Sequence, residues 1–368
     1  MTQSRLENLQ KILADAKLDA LVLNPGASLF YLTGFHFHLM ERPTVLIIPA
    51  SGTPSLVLPA LETLKVEQMP IRVEAIPYGD NPNHWLQAFE KAATFLGSGK
   101  KVIGIEPTCL RALEMGYLQQ AFKGSEFRDA SEQLSQSRAC KDAGEILHIR
   151  KAVQIAEAAL ECTLPIVRAG VSEREISTEL TLQLIRAGSD LTLAFQPIVS
   201  GGPNAANPHA EPSDRKLQTG DLLVIDWGAV YQGYVSDLTR TFAVGKMDPE
   251  YMKIVEITAR ANEAGRKVSR AGIPAGEIDR AARKVIVEAG YGDYFTHRTG
   301  HGIGLEGHEP PYIYGENQLI LQPGMVFTVE PGIYLPGRNG ARIEDNVLIT
   351  TEGAETLSNL ERELRALG

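Results

Sequence analysis

The chain has 368 residues, with 36 basic and 45 acidic side chains and a net charge of −9. That length exceeds one compact core and predicts two domains, and the acidic balance argues against a nucleic-acid or anionic-membrane partner. The polar start, MTQSRLENLQ, holds no apolar signal segment, no stretch reaches the roughly 18 apolar residues of a membrane span, and Cys109, Cys140 and Cys162 form no staple pattern; together these predict a cytoplasmic protein in reducing surroundings.

Residues 1–130 read as an α/β accessory domain. Leu6, Leu9, Ile12 and Leu13 mark one face of a helix over 4–17. ALVLN (20–24) is a short apolar strand stopped by Pro25-Gly26. TVLIIPA (44–50) and SLVLP (55–59) flank the turn SGTP and predict a strand pair. A helix over 82–96, a buried strand KVIGIE (101–106) and a helix over 108–120 follow. Strands alternating with helices imply a sheet with helices packed on it.

Residues 131–368 read as a second, α+β domain. AGEILHIRKAVQIAEAALECTLPIV (143–167) has apolar residues at intervals of three and four, as an amphipathic helix does. A helix over 172–187 opens with Ser172 and, three residues on, Glu175, a capping box. Two more helices are predicted over 249–268 and 275–289. GYGDYFTHRTGHGIGLEGHEPP (290–311) is too rich in glycine for a regular helix and must be a shaped loop or strand.

This second domain repeats itself. RAGVSEREI from Arg168 matches RAGIPAGEI from Arg270, and LQTGDLLVIDWG (217–228) matches LQPGMVFTVEPG (321–332). Repeated sequence implies repeated structure, here a pseudo-twofold pair of halves. Asp226 and Glu330 hold the same place in the two copies, each at the end of an apolar strand. Asp237 and Glu344 follow after turns supplied by GAVYQG and YLPGRNG. Two facing halves would converge these four carboxylates on one point.

Four carboxylates cannot share an interior unless something neutralises them. Arg240 and Arg342 are the nearby cations, and two arginines do not balance four acids. Two divalent metal ions do. His301, held between Gly300 and Gly302, is the best nitrogen ligand among eight histidines. An oxygen-rich set with one imidazole suits manganese, cobalt or zinc better than copper. His209, His297 and His308 lie among glycines and prolines and are candidates to bind substrate and stabilise charge. His36 and His38 in GFHFH lack further ligands for a zinc site of their own.

DWGAVYQGYVSDLTRTF (226–242), HRTGHGIGLEGHE (297–309), VFTVEPGIY (326–334) and GARIED (340–345) together resemble the pita-bread metallopeptidases. With SGGPNAANPHAEPSDRKLQTGD (200–221), they resemble the proline-specific branch, Xaa-Pro aminopeptidase and Xaa-Pro dipeptidase (prolidase). The first domain, with YLTGF (31–35), resembles that family's accessory domain. The resemblance implies that Asp226 binds one metal ion, that Asp237 and Glu344 bridge two, and that His301 and Glu330 complete the second. It implies that His209 and His308 line the substrate site, with His297 and Arg342 beside them, and that Glu330 doubles as proton carrier. It implies short peptides with proline in second position as substrates, and a homodimer. Phe195 and Tyr312 are candidates for an apolar proline pocket, and Arg338 for a carboxylate clamp. No long insertion separates the metal ligands, which favours an open site and release of the N-terminal residue; the alternative is a strict dipeptidase. Trp227, beside Asp226, should alternate away from the site.

Overall fold

In the computed structural model, which describes residues 2–368, the chain forms two compact units, the first ending at Arg138 and the second spanning Ala139–Gly368.

The first unit runs α1 (Thr2–Asp15), β1 (Ala20–Leu23), α2 (Ala27–Thr33), β2 (Val45–Pro49), β3 (Ser55–Pro59), α3 (Thr63–Glu67), β4 (Glu74–Tyr78), α4 (Trp85–Phe95), β5 (Val102–Ile105), α5 (Ala112–Ala121), β6 (Glu126–Asp129) and α6 (Ser131–Arg138). Its six strands form one mixed sheet in the order β4-β3-β2-β1-β5-β6. β1 is the pivot, antiparallel to β2 and parallel to β5. Val22, Val45, Ile47, Val57 and Ile103 on these strands pack against Phe89 and Leu118 of the covering helices. The unit continues past residue 130 because α6 packs on α1 and Arg138 Nη1 donates to Ser28 Oγ at 2.9 Å.

The second unit is built twice over. α7 (Ala143–Thr163) and α8 (Glu173–Arg186) precede β7 (Ile198–Gly201), β8 (Leu222–Trp227), β9 (Val230–Tyr231), β10 (Tyr234–Val235) and β11 (Leu238–Val244). α9 (Pro249–Val268) and α10 (Gly276–Glu288) precede β12 (Gly300–Gly302), β13 (Glu309–Ile313), β14 (Val326–Val329), β15 (Gly332–Tyr334), β16 (Gly340–Arg342) and β17 (Asp345–Ile349); β18 (Ala354–Thr356) and β19 (Arg365–Leu367) close the chain. Each copy packs a helix pair on an antiparallel sheet: β11-β8-β7 in one and β13-β12-β14-β17-β18 in the other, with β19 added in parallel to β11. The expected capping box forms, Ser172 Oγ accepting from Glu175 N at 3.2 Å. This is the pita-bread arrangement that the internal repeat anticipates. No helix among the described residues is long and apolar enough to cross a membrane.

Candidate metal centre

The acids converge because two hairpins meet edge to edge. β8 pairs with β11 so that Asp226 faces Thr239. β14 pairs with β17 so that Val329 faces Asp345, which leaves Glu330 and Glu344 just beyond the last pair. A single bridge, Thr239 with Glu344, then joins the two hairpins. Asn346 adds a second tie, its Oδ1 accepting from Asp237 N at 3.1 Å. Asp226, Asp237, His301, Glu330 and Glu344 thereby come together, with ligand atoms in groups of three lying within 4.8 Å of one another.

Glycines on either side of His301 let the neighbouring strands come close. A Cβ on Gly300 would stand 1.9 Å from Thr328 O, and one on Gly302 would stand 2.4 Å from Pro310 O. Only glycine tolerates such approach of neighbouring strands. The ladder shifts register between His301 and Gly302, and such a bulge re-aims a side chain. His301 Nδ1 lies 3.2 Å from Gly302 O. A carbonyl only accepts, so Nδ1 carries a proton and Nε2 is the nitrogen turned to the acids, 3.2 Å from Glu330 Oε1 and 3.7 Å from Asp237 Oδ2. A backbone carbonyl fixing the far nitrogen is the usual preparation of a metal-binding imidazole.

The charge balance asks for cations. Burial pushes Asp237 well above the usual carboxylate range, and Glu344 and Asp226 beside it add to the rise. Burial likewise lifts Glu344, helped by Glu330 and Asp226. Asp226 is raised by burial against the pull of Arg342. Burial works against Glu330 too, yet before an ion binds a protonated His301, donating through Nε2, outweighs it by hydrogen bond and charge and lowers the carboxyl to about 2. Asp226 Oδ2 accepts from Arg342 Nη2 at 2.5 Å, whereas its Oδ1 is buried with no hydrogen-bond partner. A buried carboxylate oxygen left unmatched costs on the order of 1–3 kcal/mol or more. The orphaned oxygen, the like-charged acids and the lone pair of His301 fit divalent ions, the hard-to-borderline kind that oxygen-rich sites select.

Arg342 is the one expected counter-charge that stays. Its Nη1 donates to Tyr334 Oη at 2.9 Å, and its Nε donates to Thr239 Oγ1 at 3.2 Å. Arg240 turns elsewhere: its Nη2 meets Asp345 Oδ1 at 2.8 Å and its Nη1 donates to the carbonyls of Thr239 and Glu344. It secures the backbone that carries Glu344 and leaves the cluster itself to Arg342.

The other histidines are sorted by their partners. His297 Nδ1 lies 2.7 Å from Arg298 O, so it donates there, and Nε2 accepts from Tyr334 Oη at 2.8 Å. Burial pushes the Tyr334 phenol up to about 12, which keeps that proton in place, and burial lowers His297, which keeps it neutral. The His308 ring lies tilted against that of His301, with ring centres 3.8 Å apart and planes at 38°. Its Nδ1 faces Arg298 Nη2 at 3.4 Å. A guanidinium only donates, so Nδ1 accepts and Nε2 carries the proton. Burial and the charge of His301 lower His308 to about 4, so the ring is neutral near pH 7. His209 is exposed on the rim, its backbone N–H donating to Asn207 Oδ1 at 3.2 Å.

All these groups open into a cavity of about 670 Å³. Asp226, Asp237, Glu330, Glu344, His209, His297, His301, His308 and Arg342 line it together with Phe195, Pro197, Ile198 and Pro212. Phe195 is thus where an apolar pocket needs it. Tyr312 is not in the lining; it lies beneath Arg298, whose guanidinium sits 4.3 Å from the centre of its ring. Arg338 is no clamp: it pairs with Glu250 at 3.1 Å, both side chains 45% exposed, and it does not line the cavity. Among the described residues, no metal-ligand group includes His36 or His38, and His36 stacks on Phe30. Trp227 points away as expected, fully buried, with Nε1 donating to Ala156 O at 2.9 Å. The sequence reading missed Thr239, Tyr334, Asn346 and Arg298. Thr239 and Asn346 lie two residues after Asp237 and Glu344, on the same strand face, and that spacing was a usable signal.

Comparison with known proteins agrees with this geometry. Residues 148–351 match the model of metallopeptidase family M24, and residues 5–140 match the creatinase/prolidase N-terminal domain. A solved dipeptidase from Pyrococcus horikoshii OT3 is 39% identical, with a TM-score of 0.93 over 99% of this chain and 100% of that one. A solved prolidase from Thermococcus sibiricus is 36% identical, with a TM-score of 0.94 over 100% and 99%. A solved X-Pro aminopeptidase from Thermotoga maritima is 32% identical, with a TM-score of 0.85 over 98% and 99%. With its acidic cluster, its doubled catalytic unit and its accessory domain, this chain belongs to metallopeptidase family M24 and is a metal-dependent peptidase.

Proposed function

We propose that the protein is an Xaa-Pro dipeptidase, hydrolysing the bond before a C-terminal proline. The observation that carries this reading is the carboxylate and imidazole cluster sharing one cavity with the apolar Phe195, Pro197 and Ile198. Two of the similar solved structures are a dipeptidase and a prolidase, and this favours the dipeptidase over the aminopeptidase that the open-looking ligand spacing suggests.

In this reading Asp226, Asp237, His301, Glu330 and Glu344 hold two divalent ions, manganese first among the metals an oxygen-rich set selects. When bound, the ions supply Lewis-acid polarisation and lower the pKa of water. The residues do the rest. Glu330, beside His301 at the cavity, takes a proton from the attacking water as the water's oxygen bonds to the peptide carbonyl carbon. It returns that proton to the prolyl nitrogen as the C–N bond breaks. His308 Nε2–H donates to the carbonyl oxygen as negative charge builds there. Arg342 holds Asp226, and the Tyr334–His297 pair holds Arg342. Phe195, Pro197 and Ile198 receive the pyrrolidine ring. The working form is a homodimer.

The test is a kinetic series on manganese-loaded enzyme: Leu-Pro, Leu-Pro-amide and Leu-Pro-Gly. The proposal expects turnover concentrated on Leu-Pro. Equal efficiency on all three would make the protein an aminopeptidase instead.

A further inference from the structure

Residues 202–221 join β7 to β8, and their middle lies at the cavity, where Pro208, His209, Ala210, Glu211 and Pro212 form part of the lining. The segment from Gly201 to Ser213 is an arch with both feet on one side chain. Glu173, in the first turn of α8, is fully buried. At the first foot its carboxylate accepts from Gly201 N at 2.8 Å and from Asn204 Nδ2, 3.0 Å from each oxygen. At the second foot it accepts from Ser213 N at 3.0 Å and from Ser213 Oγ at 2.6 Å.

Glu173 is not needed to cap its own helix. Ser172 and Glu175 already form that capping box. The open N–H groups of Glu173 and Arg174 are met by the arch as well, donating to Arg215 O at 3.1 Å and Ser213 O at 3.0 Å. Arg215 does not take the carboxylate; it grips Asp221 with two hydrogen bonds, at 2.7 Å and 2.9 Å. The acceptors of Glu173 are therefore spent on the feet of the arch. The crest is held from the metal side, where Pro208 O accepts from Arg342 Nη1 at 3.2 Å. His209, next along, is tied through its backbone, whose N–H donates to Asn207 Oδ1 at 3.2 Å, and it is exposed at the rim. The backbone of the arch thus sets where that imidazole stands.

We propose that Glu173 is a positioning residue of the site: by holding both feet of the arch it fixes the place at which His209 meets the substrate, and it acts on the reaction through His209. The inference rests on the reading above that a short peptide lies in this cavity.

The experiment is a double-mutant cycle on manganese-loaded enzyme with Leu-Pro. Wild type, Glu173→Gln, His209→Ala and the double variant are compared in kcat, KM and metal content. Glu173→Gln keeps the shape but turns one acceptor into a donor that faces donors. It should lose about 10- to 100-fold in kcat/KM, the scale of a misplaced substrate contact, chiefly through KM and with metal content as in wild type. In the His209→Ala background the same change should cost less than about twofold. Ser213→Ala removes a single donor from one foot and should show the same pattern at about 3- to 10-fold. It carries the cycle if Glu173→Gln does not fold. Full additivity with His209→Ala overturns the proposal, as does loss of metal in Glu173→Gln or a His209→Ala variant that matches wild type. A wild type that leaves Leu-Pro intact refutes the substrate reading; a wild type that cleaves it while the two effects add refutes the positioning role alone.

Discussion

Thr239 Oγ1 donates to Glu344 Oε2 at 2.6 Å, and Thr239 O accepts from Glu344 N at 3.1 Å. One residue of the first hairpin thus aims a carboxylate of the second. Thr239→Val keeps the shape and removes the hydroxyl. It should weaken metal affinity by about 10- to 100-fold, as loss of a ligand's supporting hydrogen bond does. Isothermal titration with Mn²⁺ reads this directly. An unchanged affinity would mean that Glu344 is positioned by its backbone alone.

Tyr334 relays between His297 and Arg342. Tyr334→Phe should keep the fold and both metal equivalents while kcat falls by about tenfold, the worth of one buried hydrogen bond to a charged group. The check is turnover together with metal content. Loss of metal in this variant would contradict this, showing that Arg342 cannot hold Asp226 in place without the Tyr334 hydroxyl.

His308→Ala separates a ligand from a helper. His308 lies close enough to Asp237 and His301 to form a ligand group with them, yet its proton on Nε2 suits an oxyanion donor. The variant should keep its metal and lose roughly 10²–10³ in turnover. Metal titration decides: disappearance of one equivalent would put His308 among the ligands.

Asp345 anchors the end of the chain. It is fully buried against Arg240 at 2.8 Å, Arg362 at 2.7 Å and Arg266 at 3.5 Å. Asp345→Asn leaves buried arginine charge uncompensated and should destabilise the protein by about 3–5 kcal/mol, seen as a lower denaturation midpoint in guanidinium. A midpoint within error of wild type would contradict that account of the anchor.

Much of this was legible in the residues. The repeat from Arg168 and Arg270 predicted two like halves, and the acids at matching strand ends predicted their convergence. The apolar strands and long helices followed from period and length, as with α7 and β2–β3. Short elements did not: α2 and α6 carry too few turns for a pattern, and β4 alternates with Pro77 in its midst. Side-chain direction was the other gap. Arg338, close in sequence to Arg342, pairs with Glu250 and stays out of the cavity, whereas Arg298, next to His297, lines it. Such choices depend on partners far along the chain, and spacing does not reveal them.

The central claim is that the five-residue cluster works only with divalent ions in place. The most direct measurement removes metal by exhaustive chelation, verifies its absence by elemental analysis, assays Leu-Pro hydrolysis, and then titrates Mn²⁺ back in wild type and in Asp237→Ala. The account predicts no turnover in the metal-free protein, recovery complete at two equivalents per chain in wild type, and no recovery in Asp237→Ala. Full turnover in protein shown to be metal-free would contradict it.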